Sequence, residues 1–256
     1  MFAELQRMDE QIQRLRRMLE GATRAVVFTG AGISTESGIP DYRSPGGIWM
    51  SQKPIYFRDF LASEQARIES WRRRVASDPV LRAARPNRGH VAVAQLVAEG
   101  KATAVITQNI DGLHQMSGVP DDKVIELHGN TSYAACLDCS TRYKIADVFA
   151  VFEREPRAPR CEHCGGFVKT ATISFGQAMP AGAMRRAEQE ARAADLFLSI
   201  GSSLVVYPAA GFPELARRNG AQLVIINREP TPLDEVADLV LRGGIGEALG
   251  TAVGVQ

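Results

Sequence analysis

Short apolar runs alternate with helix-like segments along most of the chain. Runs rich in β-branched and other apolar residues occur at 25–29, 102–107, 124–127, 195–200, 222–226 and 238–241. Because these runs lack polar alternation, they are typical of strands buried on both faces of a parallel sheet. Helical spacing predicts helices over 87–99 and 181–194 between them. Strands joined by helical crossovers predict an α/β fold with a doubly wound parallel sheet.

An amphipathic helix is predicted near the start of the chain, over residues 3–20. Its apolar residues follow three- and four-residue spacing, at Leu5, Met8, Ile12, Leu15 and Leu19. A mitochondrial presequence is also amphipathic, but the four acidic residues of this segment argue against one. We therefore predict a helix that packs on the body of the fold.

The segment 45–86 departs from the alternation of strands and helices. It is rich in aromatic and charged residues without strand-like alternation, so we predict a helical insertion that covers the end of the first strand. Three consecutive arginines, Arg72–Arg74, are predicted to form a solvated helix face rather than a substrate clamp. Further along, after Gly165 and Gly166, the segment Thr170–Phe175 is predicted to re-enter the main sheet.

Composition and charge argue against several functional classes. The chain has 256 residues and is 45% hydrophobic, which suffices for one large domain with a smaller inserted module. Thirty basic and twenty-nine acidic residues give a net charge of +1, so we expect no basic field that attracts nucleic acid or an anionic membrane. No apolar run approaches membrane-spanning length, and the chain does not begin with a signal-peptide layout. We expect a soluble protein located in the cytoplasm.

A glycine-rich turn follows the first predicted strand, Ala25–Thr29. Gly30 and Gly32 flank Ala31, and because they lack Cβ atoms they let backbone N–H groups approach a pyrophosphate. The dinucleotide-binding fingerprint is matched only in part, because Thr35 stands at its last glycine position. Taken alone, the turn is compatible with a phosphate-binding loop or an ordinary tight connection. The hydroxyl, carboxylate and guanidinium groups that follow it favour the phosphate-binding loop.

Polar residues also follow later predicted strands at their carboxyl ends, where ligands bind in open α/β sheets. They occur at Gln108–His114, at His128 and at Gly201–Ser203. The first segment is also compatible with a turn rich in Asn, Asp and Gly. The imidazole of His128 titrates near neutrality and suits proton transfer, whereas His90 is predicted to be structural because no ionisable group accompanies it. The Gly201–Ser203 strand end is expected to lie opposite the first glycine turn.

The four cysteines of the chain form two Cys-x2-Cys pairs, Cys136 with Cys139 and Cys161 with Cys164, separated by 21 residues. This spacing is typical of a structural zinc ribbon, in which four sulfurs surround the metal tetrahedrally. Disulfides or a redox pair are the alternatives, and the lack of a secretory signal argues against disulfides. A closed four-sulfur shell has no open coordination position, so we expect the zinc to be structural. His163 lies inside one pair and is not predicted to be a ligand.

Together these motifs resemble the sirtuin family of NAD-dependent protein deacylases. Gly30–Trp49 is similar to the leading sirtuin signature nearly residue for residue, and the resemblance covers about residues 22–250. The other similar motifs are Gln108–His114, His128 with Gly129, the four cysteines, Gly201–Ser203 and Asn227. The departures are Tyr42, Gln177, the pair Lys169 and Thr170, and the pair Trp71 and Arg74, which matches only half of an acyl-carboxylate binding pair.

The resemblance implies an NAD-dependent protein lysine deacylase, in particular a deacetylase, that transfers the acyl group of an acyl-lysine to ADP-ribose and releases nicotinamide. It implies that His128 is the general base and that Asn109 and Asp111 hold the nicotinamide. The implied cofactor-binding residues are Gly30, Ala31, Gly32, Thr35, Ile39, Asp41, Tyr42, Arg43, Gln108, Asn109, Ile110, Asp111, Gly201, Ser202, Ser203, Asn227, Arg228 and Ile245. The implied substrate-binding residues form two edges of a groove, Phe175, Gly176 and Gln177 on one side and Leu204, Val205 and Val206 on the other.

Two other functional classes remain open. A protein mono-ADP-ribosyltransferase or an NAD hydrolase would cleave the same glycosidic bond with another nucleophile, and Tyr42 and Gln177 keep this alternative open. A non-catalytic module would only sense NAD and would bind a partner through the zinc ribbon. The near-neutral charge and the intact cluster around His128 argue against such a module.

The predicted architecture has a Rossmann-like NAD-binding domain formed by residues 1–44, 87–133 and 170–256. A smaller domain combines the helical insertion 45–86 with the zinc-ribbon module 134–169. NAD and an acyl-lysine protein or peptide are expected in the cleft between the two domains, with structural zinc in the smaller one. His114 resembles a position that supports the loop around it, so we assign it a structural role.

Overall fold

A six-stranded parallel sheet forms the centre of the fold in the computed structural model, with strand order β3-β2-β1-β7-β8-β9. The structure describes residues 2–256, with side chains from residue 6 onward, so Met1 and the side chain of Leu5 lie outside the described residues. The strands are β1 (Ala25–Thr29), β2 (Ala102–Thr107), β3 (Val124–Glu126), β7 (Leu196–Ile200), β8 (Gln222–Ile226) and β9 (Leu239–Leu241). The predicted α/β fold with a doubly wound parallel sheet is confirmed.

Helices cover both faces of this sheet because successive strand residues point to opposite sides. One face packs against α1 (Phe2–Gly21), α4 (Arg88–Ala98) and α9 (Ile245–Val253), and it buries Val27 of β1. The other face packs against α7 (Ala181–Ala193) and α8 (Gly211–Arg218), and it buries Phe28 of the same strand. Ile12, Leu15 and Leu19 are buried in the first of these cores. The prediction that the first helix packs on the body of the fold is therefore confirmed.

The carboxyl ends of β1 and β7 lie next to each other, and the two glycine turns that follow them are in direct contact. Gly30 N–H donates to the Ile200 carbonyl at 3.0 Å, and Gly32 N–H donates to the Gly201 carbonyl at 2.8 Å. A Cβ atom on Gly32 would lie 2.7 Å from the Cα atom of Gly201, so a side chain there would separate the turns. The expectation that the two turns lie opposite each other is confirmed.

A second, three-stranded antiparallel sheet has the strand order β5-β4-β6. It consists of β4 (Gly129–Cys136), β5 (Arg142–Lys144) and β6 (Val168–Thr172). The prediction that Thr170–Phe175 re-enters the main sheet is wrong, because Thr170 pairs with Ala134 of β4. The reason is the second cysteine pair, which returns the chain beside Cys136, so that the free edge of β4 is the nearest partner for β6.

Helices pack on this small sheet and bury a separate apolar core. They are α3 (Glu64–Ala83) of the predicted insertion and α6 (Ile145–Arg154), and α2 (Phe57–Ala62) packs against α3. The short α5 (Leu113–Met116) lies elsewhere, against α4. Trp71 of α3 is fully buried against Phe149 and Val168, and its indole N–H donates to the Val168 carbonyl at 3.1 Å. Across residues 2–256, the structure contains no helix that is both long and apolar enough to cross a membrane.

The three consecutive arginines of α3 do not all share one environment. Arg72 and Arg73 both pair with Glu69 on the outer side of the helix, as a solvated face predicts. Arg74 is different, because its side chain is only 10% exposed. It donates to Asp78 at 3.0 Å and to the Thr131 carbonyl at 3.2 Å. The prediction of a solvated face is therefore wrong for Arg74, which joins α3 to β4.

Candidate active site

A cavity of about 590 Å³ lies between the carboxyl ends of the main-sheet strands and the small sheet. Most residues that the sequence assigns to cofactor or substrate line it. They are Gly30, Ala31, Gly32, Asp41, Tyr42, Arg43, Gln108, Asn109, Ile110, His128, Phe175, Gly176, Gln177, Gly201, Ser202, Ser203, Val206 and Asn227. A volume of this size is within the range of ligand and cofactor sites, so this cavity is the candidate active site.

Other assigned residues lie outside the cavity lining. They are Thr35, Ile39, Asp111, Leu204, Val205, Arg228 and Ile245. The hydroxyl of Thr35 donates to the Gly32 carbonyl at 2.9 Å and so stabilises the turn. Leu204 has a positive φ of 55° and its side chain is buried in the core of the large sheet, which leaves its backbone for any contact with a substrate. The binding roles of all these residues stay predictions.

The sequence interpretation missed several residues that line the cavity. They are Ser44, Pro45, Trp49, Pro54, Ile55, Thr172, Ile173, Ser174, Met179, Tyr207, Pro208 and Glu229. Most of them adjoin a motif that was recognised, so proximity in sequence was the available signal. Pro54 and Ile55 adjoin none, and only the packing of the insertion against the main sheet brings them to the site.

The glycine turns and nearby polar groups suit a dinucleotide. Gly30, Gly32 and Gly201 leave the floor of the cavity free of side chains. Beside them, the Ser202 hydroxyl donates to Oε1 of Gln108 at 2.8 Å, which connects the ends of β7 and β2 across β1. NAD requires both an open backbone surface for its phosphates and amide or hydroxyl groups for its sugars. The residues present meet both requirements.

Asn109 and Asp111 are connected through Ser34, one of the hydroxyl residues behind the glycine turn that the sequence analysis used to favour a phosphate-binding loop but to which it gave no nicotinamide role. Nδ2 of Asn109 donates to the Gly30 carbonyl at 3.0 Å and lies 3.3 Å from the Ser34 hydroxyl. That hydroxyl donates to Oδ2 of Asp111 at 2.7 Å. The two predicted nicotinamide-binding residues therefore belong to one hydrogen-bonded group, in which Asn109 faces the cavity and Asp111 lies behind it.

His128 lies on the cavity wall with a defined protonation pattern. Its Nδ1 atom is 2.9 Å from the carbonyl oxygen of Gln108, and a carbonyl can only accept, so Nδ1 carries the proton. In the neutral ring Nε2 is then free to accept a proton. Burial lowers the pKa of His128 below its ordinary 6.5, although the bond to Gln108 opposes this shift. A neutral imidazole at pH 7 with a free Nε2 has the properties of a general base.

The residue after His128 must be glycine. Gly129 has a φ of 69°, and a Cβ atom there would lie 1.9 Å from the Ala171 carbonyl oxygen. On the other side, the His128 carbonyl accepts the N–H of Ile173 at 2.8 Å. The close approach of β4 and β6 thus holds the main chain of His128 against the segment that lines the cavity.

Aromatic side chains form one wall of the cavity. The Tyr42 and Trp49 rings are 5.2 Å apart, and Trp49 and Phe175 are 5.4 Å apart. Tyr56 is 5.9 Å from Phe175 but lies outside the cavity lining. The guanidinium of Arg43 lies 4.1 Å from the centre of the Trp49 ring. Burial, reinforced by the Asp111 carboxylate, raises the pKa of Tyr42 above its usual 10.0, so the phenol stays neutral. The wall is therefore apolar with one cation at its edge.

The four cysteines converge on one point away from the cavity. Their sulfur atoms all lie within 4.8 Å of one another, with Cys136 and Cys164 at 3.5 Å and Cys139 and Cys161 also at 3.5 Å. Sulfurs bound to zinc at about 2.3 Å in a tetrahedron would be about 3.8 Å apart, so the cluster fits the metal. All four are free cysteines and His163 is not in the cluster, as predicted.

The remaining histidines and the pair Trp71 and Arg74 lie elsewhere. His90 and His114 are buried and do not line the cavity. The statement that no ionisable group accompanies His90 is wrong, because its ring centre is 5.2 Å from that of His114. Trp71 and Arg74 also stay outside the cavity lining, since one is in the small core and the other bonds Asp78.

Known proteins are similar to this chain over nearly its whole length. The Sir2 family model matches residues 30–208. The NAD-dependent protein deacetylase of Rhodopseudomonas palustris is 57% identical over 243 residues, which cover 95% of this chain and 96% of the relative. NAD-dependent protein deacetylase 1 of Bradyrhizobium diazoefficiens is 59% identical over 243 residues and covers 95% of each chain. A solved structure of Sir2 with a p53 peptide and NAD+ has a TM-score of 0.85 at 37% identity, covering 95% of this chain and 97% of that one.

Proposed function

The chain belongs to the Sir2 family, and on that premise we propose how its own residues perform the reaction. The protein is an NAD-dependent protein deacetylase that acts on acyl-lysine in proteins or peptides and transfers the acyl group to ADP-ribose. NAD, when bound, supplies the ADP-ribose that accepts the acyl group, and nicotinamide is released. The position of His128 on the wall of a cavity that also contains the glycine turns is the observation that carries the assignment.

The glycine turns and the strand ends hold the cofactor. Gly30, Gly32 and Gly201 receive the phosphates, and Gln108 together with Asn227 contacts the two riboses. This placement is supported by the hydrogen bond between Gln108 and Ser202, which already orders the floor of the cavity. The apolar wall opposite excludes water from the reacting groups.

Asn109 binds the nicotinamide carboxamide, and Asp111 acts on it through Ser34. The side chain of Asn109 is held by the Gly30 carbonyl and by Ser34, so it is oriented before the cofactor arrives. The Asp111 carboxylate accepts from Ser34 and from the Leu113 N–H at 3.0 Å, which fixes this group to the start of α5. A preorganised amide costs less to orient than a flexible one, which favours cleavage of the bond to the nicotinamide.

His128 is the general base. Its Nε2 atom accepts a proton from a ribose hydroxyl, while Nδ1 keeps its own proton on the Gln108 carbonyl. The Nδ1–H group becomes a stronger donor to the Gln108 carbonyl as the ring gains positive charge, so the same bond stabilises the imidazolium that forms. Gln108 therefore contributes its backbone to the base and its side chain to the cofactor.

The substrate peptide lies between two loops at the cavity mouth. Phe175, Gly176 and Gln177 form one side, and the backbone of 203–206 forms the other, as an added strand would require. The acyl-lysine side chain points inward along the aromatic wall of Tyr42, Trp49 and Phe175.

Product analysis tests the reaction and its principal alternative. With an acetyl-lysine peptide, labelled NAD and purified protein, mass spectrometry is expected to detect free lysine peptide, nicotinamide and O-acetyl-ADP-ribose in equal amounts. A mono-ADP-ribosyltransferase would instead yield an ADP-ribosylated protein. An NAD hydrolase would yield free ADP-ribose even when no peptide is added. Detection of either pattern in place of O-acetyl-ADP-ribose would overturn the proposal.

Neutral acyl groups are expected to be preferred over acidic ones. Arg74 already bonds Asp78 and the Thr131 carbonyl. Among the residues whose side chains are described, Arg43 at the edge of the aromatic wall is the one lysine or arginine that lines the cavity. An unpaired carboxylate in an apolar site is strongly disfavoured, so kcat/KM for acetyl- or propionyl-lysine should exceed that for succinyl-lysine by at least about 100-fold. A panel of peptides that differ only in the acyl group measures this ratio.

The variant Arg74→Met is the control for this prediction. It is expected to lower stability, because it removes the contact between α3 and β4, but to leave the acyl ratio unchanged. A succinyl-lysine activity that is comparable to the acetyl activity and is lost in this variant would assign Arg74 to the acyl site instead.

Gln177 is expected to influence which residues flank the acyl-lysine. Its Oε1 atom accepts the N–H of Ser174 at 3.1 Å and its own N–H donates back at 2.9 Å. A carboxylate accepts the same bond, so Gln177→Glu should keep the turn and add a negative charge at the cavity mouth. We expect kcat/KM to rise about two- to fivefold for peptides with flanking Lys or Arg, and the gain to disappear at high salt. Peptides with neutral flanks are the control, and a gain for them would contradict an electrostatic effect.

The division into two domains is part of the proposal. Residues 45–86 and 134–169 form the smaller domain around zinc, and 1–44, 87–133 and 170–256 form the larger one. The separate core that surrounds Trp71 supports this division. We place the protein in the cytoplasm, and four free cysteines that converge as metal ligands are consistent with a reducing compartment.

A further inference from the structure

Two buried histidines lie behind the cavity and take no part in the mechanism above. His90 and His114 are almost completely buried, and their ring centres are 5.2 Å apart. Nδ1 of His90 accepts the N–H of Asn87 at 3.4 Å, and Nε2 of His114 lies 2.9 Å from the Thr29 hydroxyl. The other nitrogen of each ring, Nε2 of His90 and Nδ1 of His114, is buried without a hydrogen-bond partner among the residues whose side chains are described.

The partners of the two rings determine where their protons are. Because the Asn87 N–H is a donor, Nδ1 of His90 has no proton and Nε2 must carry it. The Thr29 hydroxyl lies 2.8 Å from the Thr107 hydroxyl and can donate to it while its oxygen accepts from Nε2 of His114. We assign the His114 proton to Nε2, because a proton on Nδ1 would leave two buried donors and no acceptor on the neighbouring rings. The two unsatisfied atoms are therefore one donor, on His90, and one acceptor, on His114.

Both rings are neutral in the working range of pH. Burial lowers the pKa of His90 to about 4, although the carboxylates of Asp111 and Glu36 oppose the shift. Burial also lowers the pKa of His114 to about 3, and the neighbouring His90 adds to the effect. A donor and an acceptor on two neutral rings this close are complementary, and leaving both unpaired would be costly.

The hydrogen bonds continue from the histidines to the nicotinamide-binding residue. The Thr107 hydroxyl oxygen accepts the backbone N–H of Asn109 at 3.0 Å. Asn109 then presents its side chain to the cavity. One hydrogen-bonded segment therefore joins Asn87 to His90, and another runs from His114 through Thr29 and Thr107 to Asn109. The neighbouring rings of the two histidines lie where the two segments meet. We call these six residues the buried row.

We propose that His90 and His114 are positioning residues for Asn109, joined through one buried water that accepts from Nε2 of His90 and donates to Nδ1 of His114. The inference rests on the proposed role of Asn109 in binding nicotinamide. The row fixes the main chain at Asn109, so that its amide has one orientation toward the glycosidic bond. Its loss would allow Asn109 to shift, and a small misplacement of an orienting group can cost a large factor in rate.

The functional test replaces hydroxyls by methyl groups of the same size. Thr107→Val removes the acceptor for the Asn109 N–H. With an acetyl-lysine peptide present, it should slow exchange of labelled nicotinamide into NAD about tenfold while changing the Kd for ADP-ribose less than about twofold. Thr103→Val is the matched control, because Thr103 lies on the same strand and bonds Glu190 rather than the row. The control should exchange nicotinamide at the wild-type rate.

Variants of His114 test whether the effect passes through the row. His114→Gln can still donate to Thr29 and should retain more exchange activity than His114→Leu, which cannot. Combining His114→Leu with Thr107→Val should slow exchange no more than Thr107→Val alone, because both act through the same bond to Asn109. The proposal would be overturned if the rate losses of the two single variants multiplied in the double variant. It would also be overturned if ADP-ribose binding fell by the same factor as the exchange rate. Thermal melting of each variant separates these effects from misfolding.

Nuclear magnetic resonance tests the proton positions independently of activity. In protein with ¹⁵N-labelled histidine, both rings should show the neutral tautomer with the proton on Nε2 throughout pH 6–8. A proton on Nδ1 of His114, or titration of either ring near neutrality, would refute the proposed hydrogen bonding between the two histidines. If wild-type protein showed these tautomers but no nicotinamide exchange, the proposed function would fail instead. If it exchanged nicotinamide but Thr107→Val did so equally fast, only the positioning role would fail.

Discussion

Replacement of His128 by alanine is expected to reduce deacetylation by at least about 100-fold while leaving NAD binding nearly unchanged. The variant removes the only imidazole that lines the cavity among the described residues, and with it the free Nε2 atom that accepts the proton. The glycine turns and Asn109 do not depend on this side chain, so the cofactor should still bind. Steady-state kinetics with an acetyl-lysine peptide and calorimetric titration with NAD in the absence of peptide measure the two quantities.

The pH profile provides a second readout of the same residue. Burial favours the neutral ring and lowers the pKa of His128 below 6.5, so kcat/KM of the wild type should rise with pH and level off before pH 7. The variant should lose this acid limb. His163→Ala is the control, because this exposed histidine is outside the cavity. Wild-type turnover in His128→Ala, or an unchanged acid limb, would remove the residue from the role of base.

Removal of zinc is expected to unfold the small sheet and to abolish activity. In zinc-binding peptides the metal contributes an apparent binding free energy of about 10–16 kcal/mol, which exceeds the stability of most domains. The effect should reach the active site because β4 begins at Gly129, directly after His128, and ends at Cys136. Without the metal the close contact between Gly129 and Ala171 is no longer enforced, so His128 loses its position.

The measurement combines a chelator with a variant. Cys161→Ser and chelator-treated wild type should both lack zinc by elemental analysis, melt at a lower temperature and deacetylate at least about 10-fold more slowly. Co²⁺ in place of zinc should restore activity to near the wild-type level, since a closed four-sulfur site does not activate water. A zinc-free protein with unchanged melting and activity would contradict the structural role. A rate that depended strongly on the identity of the metal would indicate a catalytic one.

Much of the main sheet and the location of the site were predictable from local sequence. Uninterrupted apolar runs such as Ala25–Thr29 identified the central strands, because only strands buried on both faces tolerate such runs. Glycines and polar residues at the ends of these runs indicated the cavity, since parallel strands bring their carboxyl ends to one edge. The cysteine spacing predicted the cluster of four sulfurs that fits zinc. All three signals depend on residues only a few positions apart.

Contacts between distant residues were decided by the tertiary structure alone. The edge against which β6 pairs, the burial of Arg74 and the link from Asn109 through Ser34 to Asp111 have no local signature. The contact between His114 and Thr29 joins residues 85 positions apart. Helix and strand preferences come from near neighbours, whereas strand partners and buried hydrogen bonds depend on which long loops close and which surfaces then pack. The sequence by itself therefore determined the elements and the chemistry available, and the folded chain determined which of those groups meet.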